Sequence, residues 1–200
     1  MGGTFDPIHM GHLVTAEEAR VQFGLDRVIF VPNRHPPHKD PLAVTDPGHR
    51  CRMTLLATVS NPYFAVSRME TERPGPSYTI DTIREMTGRL RPAQVYYITG
   101  ADALQQILRG EWREASELLR LCRVIAATRP GYPLDPAVLA GHNRGGGGPG
   151  SIVSMEIPAL AISSTDIRGR VRGGRPIKYL VPEAVEYYVY KHNLYHERDA

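Results

Sequence analysis

The chain has little cysteine. Its two residues, Cys51 and Cys122, are far apart and in no Cys-x-x-Cys pair, which excludes a disulfide framework and a zinc knuckle. It also has no apolar run near the ~20 residues of a membrane span, and its first residues lack the basic and apolar regions of a secretory signal. A soluble, cytoplasmic protein is expected. Lysine is scarce too: three stand against 21 arginines, and Lys39 is the only one before Lys178, so its retention on an arginine background is mildly informative. The net charge of +3 is small and scattered, which argues against a nucleic-acid partner but suits a small anionic ligand. A homo-oligomer is compatible with this composition, and no internal repeat is visible.

What is present is concentrated at the start. Residues Gly2-Gly3-Thr4-Phe5-Asp6-Pro7-Ile8-His9-Met10-Gly11-His12 are a glycine turn running into two histidines three residues apart, at the head of an amphipathic helix. Glycines let backbone N–H groups approach an anion closely, and a helix N-terminus adds unpaired donors and the positive end of a dipole. Two other readings stay open: plain polar residues at a helix start, and His-x-x-His metal ligation, with His35 and His38 repeating the spacing. Such turns normally follow a buried strand. None precedes this one, so a sheet lacking its first strand through a late start is expected, at a cost on the order of several kcal/mol.

Helical and strand patterns then alternate. Apolar positions Leu13, Val14, Ala16, Ala19 and Val21 predict a helix ended by Gly24, and Arg27 to Val31 a strand. A proline-rich loop from Pro32 to Pro47 leads to a helix with apolar positions Met53, Leu55, Leu56 and Val59, then a strand at Phe64 to Val66. Tyr78 to Leu90 predicts a helix, Val95 to Ile98 a strand, Asp102 to Leu108 and Glu114 to Leu121 two helical pieces, and Val124 to Ala127 a strand. After Pro130 the chain loosens, and Gly145 to Gly150 is a surface loop without the lysine of a nucleotide loop. Ser151 to Ile157 is a final strand, followed by helices at Ser164 to Arg172 and Pro182 to Lys191. The alternation predicts an α/β fold, a Rossmann-like doubly wound parallel sheet with its ligand site at the carboxyl ends of the strands, as one domain over residues 1–200.

Four segments fall just after predicted strands. The first is the glycine turn with His9 and His12. The second, Pro36-Pro37-His38-Lys39, is stiffened by proline, so Lys39 can reach a phosphate with less entropy lost; Arg50 is a second cation or merely surface charge. In the third, Gly75 to Thr82, Ser77 is suited to cap a helix whose first turn carries Thr79 and Asp81. The fourth pairs Gly100-Ala101-Asp102 with Ile162 to Arg168. There Asp102 can accept from ribose hydroxyls, while Ser163, Ser164, Thr165 and Arg168 can hold a polyphosphate. Trp112, the only tryptophan, either stacks on a heteroaromatic ring or packs in the core.

Together these segments resemble the nucleotidylyltransferase superfamily with the His-x-Gly-His signature, and within it the bacterial nicotinate-mononucleotide adenylyltransferases. Gly-Gly-Thr-Phe-Asp-Pro-Ile-His-x-Gly-His, Pro-Pro-His-Lys, Pro-Ser-Tyr-Thr-x-Asp-Thr, Gly-x-Asp, Arg-Pro-Gly-Tyr at Arg129 to Tyr132 and Ile-Ser-Ser-Thr-x-Ile-Arg occur in family order over nearly the whole chain. The resemblance implies transfer of the adenylyl group of ATP to nicotinate mononucleotide, with Mg²⁺ accompanying ATP and no resident metal. It implies catalytic roles for His9, His12, Lys39 and Arg168. Its ATP site comprises Gly2, Gly3, Thr4, Phe5, His9, His12, Gly100, Asp102, Ser163, Ser164, Thr165 and Arg168, and its mononucleotide site Lys39, Arg50, Thr79, Asp81 and Trp112. The chain departs from the family in the missing strand, in Arg113 where many members have an aromatic, and in the glycine-rich stretch before Ser151. Sister enzymes acting on nicotinamide mononucleotide or phosphopantetheine, a non-catalytic nucleotide-binding regulator and a metal-binding module are the alternatives.

Overall fold

The computed structural model describes residues 1–36, 40, 43–128, 131, 134–142, 149–158 and 160–196. They group into two compact units, a histidine unit of residues 3–76 and 160–200 and a tryptophan unit of residues 1–2 and 77–159.

Over residues 2–76 the order is β1 (Gly2–Gly3), α1 (Met10–Gln22), β2 (Val28–Pro32), α2 (Pro47–Thr58), β3 (Phe64–Val66) and α3 (Met69–Glu72), and the C-terminal part of the histidine unit adds α8 (Ser164–Arg172) and α9 (Glu183–Lys191). The sheet order is β1-β2-β3. Gly2 and Gly3 thus form a two-residue strand of their own, and Gly3 O accepts the Asn33 N–H at 3.0 Å. β2 and β3 run parallel with Val28 opposite Phe64 and Phe30 opposite Val66. Four of the five β2 residues are buried, as a parallel strand covered on both faces requires. Gly24 has φ +61 and takes the left-handed position after α1. The buried face of α1 is Thr15, Ala16 and Ala19; Val21, expected on it, is 64% exposed.

α2 begins at Pro47, well before its apolar stretch. Asp46 caps it by accepting the Gly48 N–H at 2.8 Å, and proline fits the first turn because the N–H it lacks would have had no partner within the helix. Val59, expected on its inner face, is its exposed C-cap.

The tryptophan unit holds α4 (Thr79–Arg89), β4 (Tyr96–Gly100), α5 (Ala101–Leu108), α6 (Ala115–Leu121), β5 (Arg123–Thr128), α7 (Pro136–His142) and β6 (Ile152–Glu156). Its sheet, β4-β5-β6, is parallel, with Tyr97 opposite Val124 and Ile125 opposite Val153. The parallel sheet expected from the alternation is therefore present as two three-stranded sheets. The core of this unit includes Ile80, Ile83, Leu104, Leu118, Val124 and Ile152.

Three local expectations change. Tyr78, not Ser77, is the N-cap of α4, with extended φ and ψ of −101 and 131. Pro182 precedes α9 as its N-cap. α3 and α7, four and seven residues long, lie outside the segments that the apolar pattern predicts as helical. No helix among the described residues is long and apolar enough to cross a membrane.

Candidate active site

In the histidine unit the chain leaves β1 through Phe5, whose φ of +50 is left-handed, an uncommon conformation for a bulky residue. Phe5 is 2% exposed, and its ring stands edge-on to His12 with centroids 5.1 Å apart. A side chain at Gly3 would come within 2.8 Å of that ring, so the second glycine is a packing requirement.

His9 is the N-cap of α1, in extended conformation. Its backbone N–H donates to Nδ1 of His12 at 3.2 Å, while His12 N–H donates to His9 O at 2.9 Å. A nitrogen that accepts from an amide carries no proton, so neutral His12 bears its hydrogen on Nε2. The two rings stack with centroids 3.7 Å apart and planes 26° from parallel. Burial lowers His9 from 6.5 to about 4. Burial, with the His9 charge adding to it, lowers His12 from 6.5 to about 3. At neutral pH the pair is therefore uncharged, and His12 presents an N–H donor rather than a cation. His9 Nδ1 is buried without a hydrogen-bond partner among the described residues. A Cβ at Gly11 would fall 3.1 Å from that nitrogen and 3.2 Å from Cε1, which is the steric reason for glycine between the histidines.

Residues of α8 and its cap hold the same loop. Ser163 caps α8, its Oγ accepting the Asp166 N–H at 3.1 Å. Ser164 Oγ donates to Pro7 O at 2.9 Å. Arg168 Nη1 donates to Asp6 O at 2.7 Å, and its Nη2 lies 3.5 Å from Thr165 Oγ1. The guanidinium is half-buried and has five N–H donors, so these contacts leave others for a ligand. Asp6 itself, 3% exposed, accepts the Thr45 N–H on Oδ2 at 3.2 Å and the Tyr195 hydroxyl on Oδ1 at 2.8 Å. His9, His12, Ser164 and Arg168 are thus brought around one loop.

Arg50 departs from expectation. It is 0% exposed. Its Nε donates to Thr45 O at 2.7 Å, Nη1 to Thr4 O at 2.7 Å and to Asn33 Oδ1 at 3.0 Å, and Nη2 to Arg34 O at 2.9 Å. Four of its five N–H donors are used inside the protein, where it braces three loop segments.

In the tryptophan unit, Gly100 is the N-cap of α5 and Asp102 lies exposed on its first turn. Thr79 opens α4; Asp81, in the same turn, lies 3.7 Å from Arg84 Nη1. Trp112 packs partly buried against the core, donates from Nε1 to Gln106 Oε1 at 3.1 Å and meets Tyr97 edge-on with centroids 6.4 Å apart. The Arg113 guanidinium lies 4.7 Å from the Tyr78 ring centroid. This contact joins the tryptophan segment to the start of α4, next to Thr79. Lys39, and most of the Arg129 to Tyr132 motif, lie outside the described residues. Among the described residues no group of three or more His, Cys, Asp or Glu side chains is placed to hold a metal ion.

Asp6 and Tyr195 are the participants that sequence reasoning did not single out. Asp6 sits inside the glycine-histidine motif, which was the available signal; Tyr195 had none.

The chain matches the cytidylyltransferase-like family over residues 1–170. It is 55% identical over 199 residues to a probable nicotinate-nucleotide adenylyltransferase of Moorella thermoacetica, covering 99% of this chain and 91% of that one. The chain belongs to the nicotinate-nucleotide adenylyltransferase family. A second relative, from Arthrobacter sp. and of the same name, is 49% identical over 195 residues, covering 98% of this chain and 89% of that one. The fold is also that of the Plasmodium falciparum nicotinic acid mononucleotide adenylyltransferase complexed with NaAD. The TM-score is 0.77 at 21% identity, over 97% of this chain and 94% of that one. As a member of this family the chain is a nucleotidyltransferase with a Rossmann-type fold, and the two histidines of its opening motif stand at the head of α1.

Proposed function

We propose that the protein transfers the adenylyl group of ATP to nicotinate mononucleotide, giving deamido-NAD and pyrophosphate in NAD biosynthesis. The observation that carries this reading is the stacked, uncharged His9–His12 pair beside the loop that Arg168 grips, in a chain 55% identical to a probable nicotinate-nucleotide adenylyltransferase. A phosphate oxygen of the mononucleotide attacks the α-phosphorus of ATP in line, forming one P–O bond as the bond to pyrophosphate breaks. No protein nucleophile is required, so the protein contributes positioning and charge stabilisation.

In this reading His9 and His12 donate N–H bonds to the ATP phosphates. Being neutral when empty, they are not repelled by one another, and a bound polyanion shifts them toward protonation as charge develops. Arg168, with Ser163, Ser164 and Thr165, holds the triphosphate. The backbone of Gly3, Thr4 and Phe5 lies against the nucleotide. Thr79, Asp81 and Trp112 receive nicotinate mononucleotide. Nucleotidyl transfer in general depends on a divalent cation. Both Asp6 carboxylate oxygens are already engaged, so we assign the ion as Mg²⁺ brought by the ATP phosphates, consistent with its preference for phosphate and water ligands.

The test is turnover of purified protein with ATP and each of nicotinate mononucleotide, nicotinamide mononucleotide and phosphopantetheine. The expected kcat/KM is highest for nicotinate mononucleotide, by about tenfold or more, since a site made for a carboxylate leaves groups unpaired with the amide. Preference for phosphopantetheine overturns the reading.

A further inference from the structure

Beyond α9 the chain turns back on itself. Asn193 and Tyr195 have φ of +48 and +68, a left-handed backbone that non-glycine residues adopt only when their surroundings hold them there. The turn is closed by the Leu194 N–H donating to Val189 O at 3.0 Å. It delivers the Tyr195 phenol inward, where its hydroxyl donates to Asp6 Oδ1 at 2.8 Å and lies 3.9 Å from Sδ of the fully buried Met53.

Asp6 is the joint of the phosphate loop. Its Oδ1 is held from the C-terminal end, its Oδ2 by the Thr45 N–H before α2, and its carbonyl oxygen by Arg168 of α8. Three stretches distant in sequence meet on one residue, three positions before His9. The loop between β1 and α1 contains the left-handed Phe5, so its path needs external restraint. Burial, the Asp6 charge and the hydrogen bond to Asp6 all push the Tyr195 phenol well above its ordinary range, so it remains a donor throughout the working pH range.

We propose that Tyr195 is a positioning residue for adenylyl transfer: through Asp6 it fixes the course of the loop from Thr4 to Ile8 and so the placement of His9 and His12. This rests on the function proposed above. Tyr195 touches no reacting atom; it acts by denying the buried Asp6 carboxylate any second orientation, since without the hydroxyl Oδ1 must rotate to find a donor and carry the loop with it.

Tyr195→Phe removes the hydroxyl and keeps the ring. The expected result is a kcat about tenfold lower with KM for nicotinate mononucleotide changed by less than about threefold, the pattern of a displaced reacting group rather than a lost binding contact. Asp6→Asn loses a comparable factor, and the double variant loses no more than the worse single one. The two variants are read independently, so a folding failure in one leaves the other to decide. The imidazole resonances of His9 and His12 shift in Tyr195→Phe and stay fixed in Tyr187→Phe, whose ring is exposed on α9. That spectrum needs no turnover. It decides the role of Tyr195 even if the enzyme uses another acceptor, in which case the functional reading falls separately. A kcat within about twofold of wild type, unmoved imidazole resonances, or losses that multiply in the double variant would each overturn the proposal.

Discussion

Arg50→Met replaces a buried, four-bonded guanidinium with an apolar chain of similar length. Arg50 is 0% exposed, and burial lowers its pKa against the opposing pull of Asp6, so its charge is tolerated only because its donors are used. The substitution removes the hydrogen bonds to Thr45 O, Thr4 O, Asn33 Oδ1 and Arg34 O. At about 1 kcal/mol for each hydrogen bond lost the cost is about 4 kcal/mol, inside the roughly 3–5 kcal/mol found when one side of a buried charged network is removed. For a chain of this size that lowers Tm by about 6–20 °C. Arg50→Lys restores the charge but not the fork that reaches three segments at once, and loses more than half as much. Thermal unfolding followed by circular dichroism measures the shift, and steady-state kinetics well below the transition measures KM for nicotinate mononucleotide, expected within about twofold of wild type. A Tm shift below about 2 °C together with a KM raised about tenfold would instead make Arg50 a ligand contact and not a brace.

His12→Ala is expected to lower kcat about a hundredfold or more while the protein stays folded, comparable to losing an oxyanion donor; a near-wild-type rate contradicts its role. Gly11→Ala presses a methyl group to 3.1 Å from His9 Nδ1 and should lower kcat about tenfold by displacing that ring, which steady-state rates will show. Lys39→Ala should raise KM for nicotinate mononucleotide by about tenfold with little change in Tm. His9 and His12 fall from 6.5 to about 4 and about 3 in the folded protein, so the unfolded chain binds more protons below its own pKa. Stability is full above that value and is lost as pH falls from 6.5 toward the folded pKa values. By about pH 5 each histidine accounts for about 2 kcal/mol of the loss. Urea unfolding in that window should be flatter with pH in His12→Gln than in wild type, and equal slopes would contradict the buried neutral pair.

Elements marked by a local apolar pattern or an end signal were legible in the sequence. α8 spans Ser164–Arg172 and β3 Phe64–Val66 as expected, and Gly24 ends α1 where a left-handed residue was needed. α2 was legible after a loop read as ending at Pro47, and its first turn is built from Asp46, Pro47 and Gly48, whose contribution is capping and not burial. The histidine pair was legible as chemistry, since its residues are local. What escaped was everything joined across the chain. Arg50 reads as a second ligand cation or as surface charge, and not as a brace, because its four acceptors come from Thr4, Asn33, Arg34 and Thr45, and no periodicity connects them. Tyr195 lies 189 positions from the Asp6 it holds; a lone tyrosine near a chain end carries no pattern at all.

The proposed reaction is direct adenylyl transfer between two bound nucleotides on a site that positions them without forming a covalent intermediate. A rapid-quench single turnover with ATP labelled at the α-phosphorus and nicotinate mononucleotide tests it most directly. Label is expected to pass from ATP to deamido-NAD in one phase, with none on the protein at any time. Label on the protein ahead of product, or none in deamido-NAD, would contradict it.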